Sequence, residues 1–204
     1  MIRALSATLL DIIFPPICMG CRRDGSSLCK ECLKKAKKSI DSPYPFIITL
    51  YSFKDPLIRR AIHNIKYFHR KDLLLPLSQE LADTLSRLQI QGTLLPIPMH
   101  PIRKMIRGHN QAEVLAKELS ILSGLSYDPT FLVRSLYRRQ QVKTRSRKER
   151  LKNQHNAFAL QKEPKGMDYI LVDDVTTTGA TLLEARNLLL RGGARKVYAI
   201  TLAH

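Results

Sequence analysis

The chain has no tryptophan, only 6% aromatic residues, half as many acidic as basic side chains, and no apolar run long enough to span a bilayer. With so little aromatic material, a broad base-stacking platform is weakly supplied. No internal repeat or low-complexity segment stands out, and the 9 glycines and 11 prolines are spread along the chain, which excludes collagen-like and disordered classes. Two phosphate signatures are also missing. There is no G-x-x-x-x-G-K-[ST] and no G-x-G-x-x-G after a strand, which removes nucleotide hydrolysis and dinucleotide binding. Between Met1 and Phe14 there is one basic residue, Asp11 interrupts the apolar stretch, and no small-residue cleavage site follows. A secretory signal is therefore not expected, and the chain reads as a soluble protein of a reducing cytosol.

What is present is 204 residues with 44% hydrophobic side chains, enough to bury one full core and a small appendage. The charge of +17 and the pI near 10.0 point to polyanionic partners: nucleic acid, phosphorylated metabolites or an anionic surface. A solvated basic surface is the plainer alternative.

Periodicity divides the chain. Ile2, Leu5, Leu9 and Ile12 predict a short amphipathic helix stopped by Pro15 and Pro16. After the cysteines, a basic stretch leads through Pro43 and Pro45 into a strand over 46–53, so a module boundary is expected between residues 1–42 and 43–204. Leu57, Ala61, Ile65 and Phe68 mark one helix, and Leu73, Leu77, Leu81, Leu85 and Leu88 a second. Strands follow at 93–98, 130–134, 169–173 and 196–202, with helices over 110–123, capped by Asn110 and Glu113, and over 180–190. Such alternation predicts an α/β fold with a parallel sheet covered by helices. The lone His63, His69 and His155 read as scattered polar groups without metal-ligand company.

All four cysteines fall in the pattern Cys18-x2-Cys21-x7-Cys29-x2-Cys32, the spacing that lets four thiolates converge tetrahedrally on zinc. Two disulfides or a redox pair are the rivals, and a reducing compartment weighs against both. With four protein ligands no coordination position is left for catalysis, so the zinc is expected to be structural, supplying folding free energy to a segment too small for its own core.

The stretch Tyr169-Ile-Leu-Val-Asp-Asp-Val-Thr-Thr-Thr-Gly-Ala-Thr181 puts Asp173 and Asp174 at the C-terminal end of a buried strand and a hydroxyl-rich turn before a helix. Ligands of open α/β sheets bind at that end. Backbone amides at a helix N-terminus and a glycine allowing close approach suit a phosphate, while two carboxylates accept hydrogen bonds from neighbouring hydroxyls. A sugar diol beside a phosphate satisfies both halves. Helix capping alone is the plainer reading of the acids and threonines.

This string resembles the ribose-5-phosphate loop of type I phosphoribosyltransferases. The resemblance implies that Asp173 and Asp174, the candidate catalytic pair, hold the ribose hydroxyls of 5-phosphoribosyl pyrophosphate. Val175, Thr176, Thr177, Thr178, Gly179, Ala180 and Thr181 would wrap the 5-phosphate, with Mg²⁺ bridging pyrophosphate and ribose. It also implies a pyrophosphate loop over 98–108, with Arg103, Lys104 and Arg107, and a closing loop near 135–147. The purine-salvage enzymes carry an aspartate where Thr177 stands here, which disfavours their substrates, and the last strand is followed only by His204, leaving no C-terminal hood to read a base.

Together with Leu95-Pro-Ile-Pro-Met-His100, Arg107-Gly-His-Asn-Gln-Ala112 and Glu149-Arg-Leu-Lys-Asn153, these motifs are similar to those of the ComF family over nearly the whole chain, with His109 where its members usually have an aromatic residue. That resemblance implies a phosphoribosyltransferase-like domain behind the zinc module. It also implies a part in natural competence, handling incoming single-stranded DNA beside a ComF-type helicase and a DNA-processing protein. The basic run Arg138, Arg139, Lys143, Arg145, Arg147 and Lys148, beside Tyr137, is the expected nucleic-acid surface, because phosphate contacts are sequence-independent. Two alternatives stay open: an active phosphoribosyltransferase with an unidentified acceptor, and a zinc-ribbon nucleic-acid protein with an inactive pocket. No oligomeric state is expected from the sequence.

Overall fold

The computed structural model describes residues 15–39, 42–68, 70–134 and 157–204. The elements run α1 (Lys30–Lys35), β1 (Ile47–Tyr51), α2 (Pro56–Tyr67), a 3-10 turn (Lys71–Leu73), α3 (Leu74–Arg87), β2 (Thr93–Pro96), α4 (Pro101–Arg107), α5 (Gln111–Ser123), β3 (Leu132–Arg134), β4 (Phe158–Leu160), β5 (Asp168–Val175), α6 (Ala180–Arg191) and β6 (Lys196–Ala203). The amphipathic helix expected before residue 15 and the basic run over 138–152 lie outside the described residues.

Four strands form a parallel sheet in the order β1-β6-β5-β2, with Ile170 opposite both Leu94 and Tyr198. Its central strand β5 is apolar on successive residues because both faces are covered. Ile170 and Val172 point into a core made with α2, α3 and α5, while Tyr169 and Leu171 point to the other face, against α6. Among the described residues no helix is long and apolar enough to cross a membrane.

The expected strand near 130–134 does not join this sheet. It is shortened to Leu132–Arg134 and pairs antiparallel with β4, Val133 facing Ala159, as a separate ribbon. The segment over 98–108, expected as a loop, contains the short helix α4. Its start and stop are local: His100 Nδ1 accepts from the Ile102 amide at 3.3 Å, Pro101 occupies the first turn, and Gly108 takes φ +73° at the end.

The helical stripes hold except at their ends. Ile58, Ala61, Ile62 and Ile65 of α2 are buried, as are Leu74, Leu77, Leu81 and Leu85 of α3. Phe68 and Leu88, each the residue after the last turn, are 63% and 50% exposed because the chain has left the helix there. Asp55 fixes the start of α2, accepting from the amides of Leu57 (2.9 Å) and Ile58 (3.1 Å) and also from Lys37 (2.8 Å). Burial alone would raise its carboxyl, but those three donors outweigh it and hold Asp55 below the usual range. The Lys37 bond ties the cysteine segment to α2. Leu28, Leu33 and Ala36 from that segment join the core of Ile58, Leu77 and Leu50, so the cysteine module and the α/β domain share apolar packing.

Candidate functional site

Two places carry chemistry. At the first, the four cysteine sulfurs all lie within 4.8 Å of one another and none is in a disulfide. A tetrahedral zinc with ~2.3 Å bonds needs sulfurs ~3.8 Å apart, and Cys21 and Cys29 stand at 3.7 Å. The turn that gathers them needs glycine between the first two ligands, since a Cβ at Gly20 would fall 2.6 Å from Cys32 Sγ. Burial acts against a thiolate at Cys18, yet the backbone amides of Cys29, Cys21 and Gly20 aim at its sulfur and bring it down to about 6. Cys32 is pushed up to about 12, first by burial and then by the surrounding thiols. A divalent soft metal resolves that conflict by replacing the protons, so the donor set fits zinc.

At the second place, β5 delivers Asp173 and Asp174 at its C-terminal end, half-buried and paired through the ladder to β6 (Asp173 opposite Thr201). Asp173 Oδ1 accepts from the Asp174 amide at 2.9 Å, and Asp174 Oδ1 from the Val175 amide at 2.7 Å. Burial, with the Asp174 carboxylate beside it, raises Asp173 well above the usual carboxylate range. Behind the acids the chain turns through Thr176 to Gly179 into α6. The Thr176 amide is spent on the Ala203 carbonyl (3.0 Å), and the Ala180 amide approaches Thr178 Oγ1 at 3.4 Å. The amides of Thr177, Thr178 and Gly179 have no acceptor among the described residues. Gly179 must be glycine twice over. It takes φ +73°, and a Cβ there would lie 2.8 Å from the Tyr44 ring. The result is a turn of exposed Thr177, Thr178 and Thr181 around unpaired amides at a helix N-terminus, next to two carboxylates.

The structure does not converge every expected residue on this turn. Arg103 and Lys104 on α4 are exposed, and Arg107 is engaged elsewhere: it donates to the Tyr67 hydroxyl (3.3 Å) and lies 5.2 Å from that ring. The segment near 135–147, expected to close over the site, and Arg138, Arg139, Lys143, Arg145, Arg147 and Lys148 lie outside the described residues. Two residues that the sequence reading passed over do reach the site. Lys66 Nζ stands 3.0 Å from Asp174 Oδ2, and His204 Nε2 stands 2.7 Å from the Thr177 carbonyl. Neither carries a local motif. Asn110 caps α5 as expected, accepting from the Ala112 amide at 3.2 Å.

Residues 76–204 match the family model described as phosphoribosyl transferase domain. The chain is 30% identical over 198 residues to DNA utilization protein YhgH of Escherichia coli strain K12, covering 89% of this chain and 86% of that protein. It is 27% identical over 216 residues to Competence protein F of Haemophilus influenzae (92% and 90%). With Competence protein ComFC of Bacillus subtilis the identity is 29% over 195 residues (91% and 77%).

Proposed function

The chain belongs to the phosphoribosyl transferase domain family, as a ComF-type member, and from that premise we propose that its pocket binds 5-phosphoribosyl pyrophosphate together with Mg²⁺ in the service of DNA uptake or utilization. The observation that carries the ligand is the juxtaposition at the end of β5: paired carboxylates able to accept from a sugar diol, followed directly by unpaired amides and hydroxyls at the start of α6. A phosphate alone would be repelled by Asp173 and Asp174, and a sugar alone would leave the amides unfilled. In this arrangement Asp173 and Asp174 orient the ribose, and the turn from Thr176 to Thr181 holds the 5-phosphate. Mg²⁺ would supply charge neutralisation at the diphosphate. Arg103 and Lys104, exposed on α4, are proposed to supply positive charge to the pyrophosphate.

The cysteine cluster is proposed to hold a structural zinc, in a module proposed over 1–42 beside a domain over 43–204, with Leu28, Leu33 and Ala36 packed into the shared core. The role in DNA handling rests on the relatives' names and on the +17 charge, which favours sequence-independent contact with single-stranded DNA, in the cytosol and beside helicase and DNA-processing partners.

Calorimetry with Mg²⁺ tests the pocket. The wild type is expected to bind phosphoribosyl pyrophosphate, and the double change Asp173→Ala with Asp174→Ala to lose at least ~10-fold in affinity. Equal binding by both proteins would refute the assignment of the acids. Release of pyrophosphate in the presence of candidate acceptors separates a transferring enzyme from a binding protein.

A further inference from the structure

Lys66 sits near the end of α2, upstream of residue 76 where the family match begins, and it is the basic side chain paired with the acids among the described residues. We propose that Lys66 is a ligand-binding residue of the pocket: one ammonium hydrogen engages Asp174, and the remaining hydrogens bind an anionic oxygen of the bound phosphoribosyl diphosphate. This rests on the pocket reading above.

Three observations support it. The first is burial: the Lys66 and Asp174 side chains are 19% and 16% exposed, against 72% and 65% for the surface pair Lys34 and Glu31. A pair so placed is screened little by solvent, and its attraction is correspondingly strong. The second is valence. A lysine ammonium has three donors, and among the described residues the partner found for this one is Asp174 Oδ2. A half-buried ammonium with donors left over from its described partner, beside a turn suited to an anion, completes that anion's site. The third is charge. Two adjacent carboxylates oppose the approach of any phosphate, and a cation 3.0 Å from one of them removes part of that barrier.

Helix α2 makes this placement reproducible. Asp55 caps its start, and Ile58, Ala61, Ile62 and Ile65 fix its inner face, so the Lys66 backbone is held while the four-carbon side chain carries its ammonium to Asp174 with donors left for the ligand. A purely structural tie between α2 and β5 is the competing role. The two differ in what they predict: a tie moves thermal stability, whereas a ligand contact moves affinity.

The experiment compares wild type, Lys66→Met and Lys66→Arg by calorimetry with phosphoribosyl pyrophosphate and Mg²⁺, each with its thermal midpoint. Met keeps the stem and removes the charge, and its affinity is expected to fall at least ~5-fold. Arg keeps the charge and is expected to stay within ~5-fold of wild type. Wild-type binding with Lys66→Met losing less than that overturns the proposal alone, whatever its thermal midpoint. A wild type that binds neither phosphoribosyl pyrophosphate nor inorganic pyrophosphate overturns the pocket reading and this inference with it. Should Lys66→Met not fold, the wild type decides through the nitrogen resonance of the Lys66 ammonium, assigned by its absence in Lys66→Arg. A shift on adding ligand supports the contact, and an unmoved resonance overturns it.

Discussion

The cysteine cluster and the proposed phosphate pocket both crowd like groups against backbone amides, but they are assembled over very different lengths of chain. The cluster takes all its donors from residues 18–32, gathered by one tight turn, the glycine between its first ligands and a one-and-a-half-turn helix. The proposed pocket brings together Lys66, the stretch 173–181 and His204, with Tyr44 packed behind Gly179. Closing a short loop costs little chain entropy, so the cluster can form around a metal locally. The pocket exists only once β5 and β6 have paired in parallel, which requires long connections. One site is a feature of a segment, and the other is a feature of the fold.

Removing the metal proposed for the cysteine cluster is the sharpest way to break this comparison. Apparent binding free energies at structural zinc sites are ~10–16 kcal/mol, so a chelator, or Cys29→Ser, is expected to open the segment over 15–39. Because Leu28, Leu33 and Ala36 pack with Ile58 and Leu77, the thermal midpoint of the whole protein should fall with it. Metal content and differential scanning calorimetry check this. An unchanged midpoint after complete metal loss would mean that the two regions are energetically independent.

A smaller effect is expected at Gly179, where alanine meets both a left-handed backbone and the Tyr44 ring at 2.8 Å. A cost of ~2 kcal/mol is expected from the conformation, and the clash adds to it. Denaturant unfolding of Gly179→Ala, alone and with Tyr44→Ala, separates the two parts. If the double variant recovers nothing, the close approach is unimportant and backbone strain accounts for the loss.

The smallest effect concerns protons. Folding raises Asp173 above its unfolded value, so the stability it contributes is present below about pH 4 and is lost as pH rises through the folded value. Asp173→Asn, which keeps an acceptor for the Asp174 amide, is therefore expected to be more stable than wild type at neutral pH and equal to it near pH 4. Thermal midpoints across that range test the sign, and a variant less stable than wild type at neutral pH would show that Lys66 overcompensates the burial.

Much of this molecule is legible before folding is considered. The apolar run 169–172, the paired acids and the hydroxyl turn together identify a strand, its end and a helix start, and the structure sets them in that order. Helix α4 also had its signals in His100-Pro101 and Gly108, which a reading focused on charge passed over. Of the β3–β4 ribbon only the first strand registered, near 130–134; β4 had no signal, because a three-residue strand is too short for alternation to show, and the pairing joins residues far apart in the chain. Phe68 and Leu88 continue their stripes on paper and leave the core in fact, since periodicity does not say where a helix stops.

The sequence by itself determined the four-cysteine cluster, the parallel α/β class and the acid–threonine string, because each depends on neighbours along the chain: cysteine spacing, strand hydrophobicity, the residues of one turn. Only the tertiary structure decided that Lys66 meets Asp174, that His204 meets Thr177, that Arg107 turns to Tyr67, and that the cysteine segment shares its core with the domain. Those pairings depend on where α2 and β6 end relative to β5 once the sheet has formed. Their geometry comes from strand register and helix packing between residues far apart in sequence, for which no local pattern carries a signal.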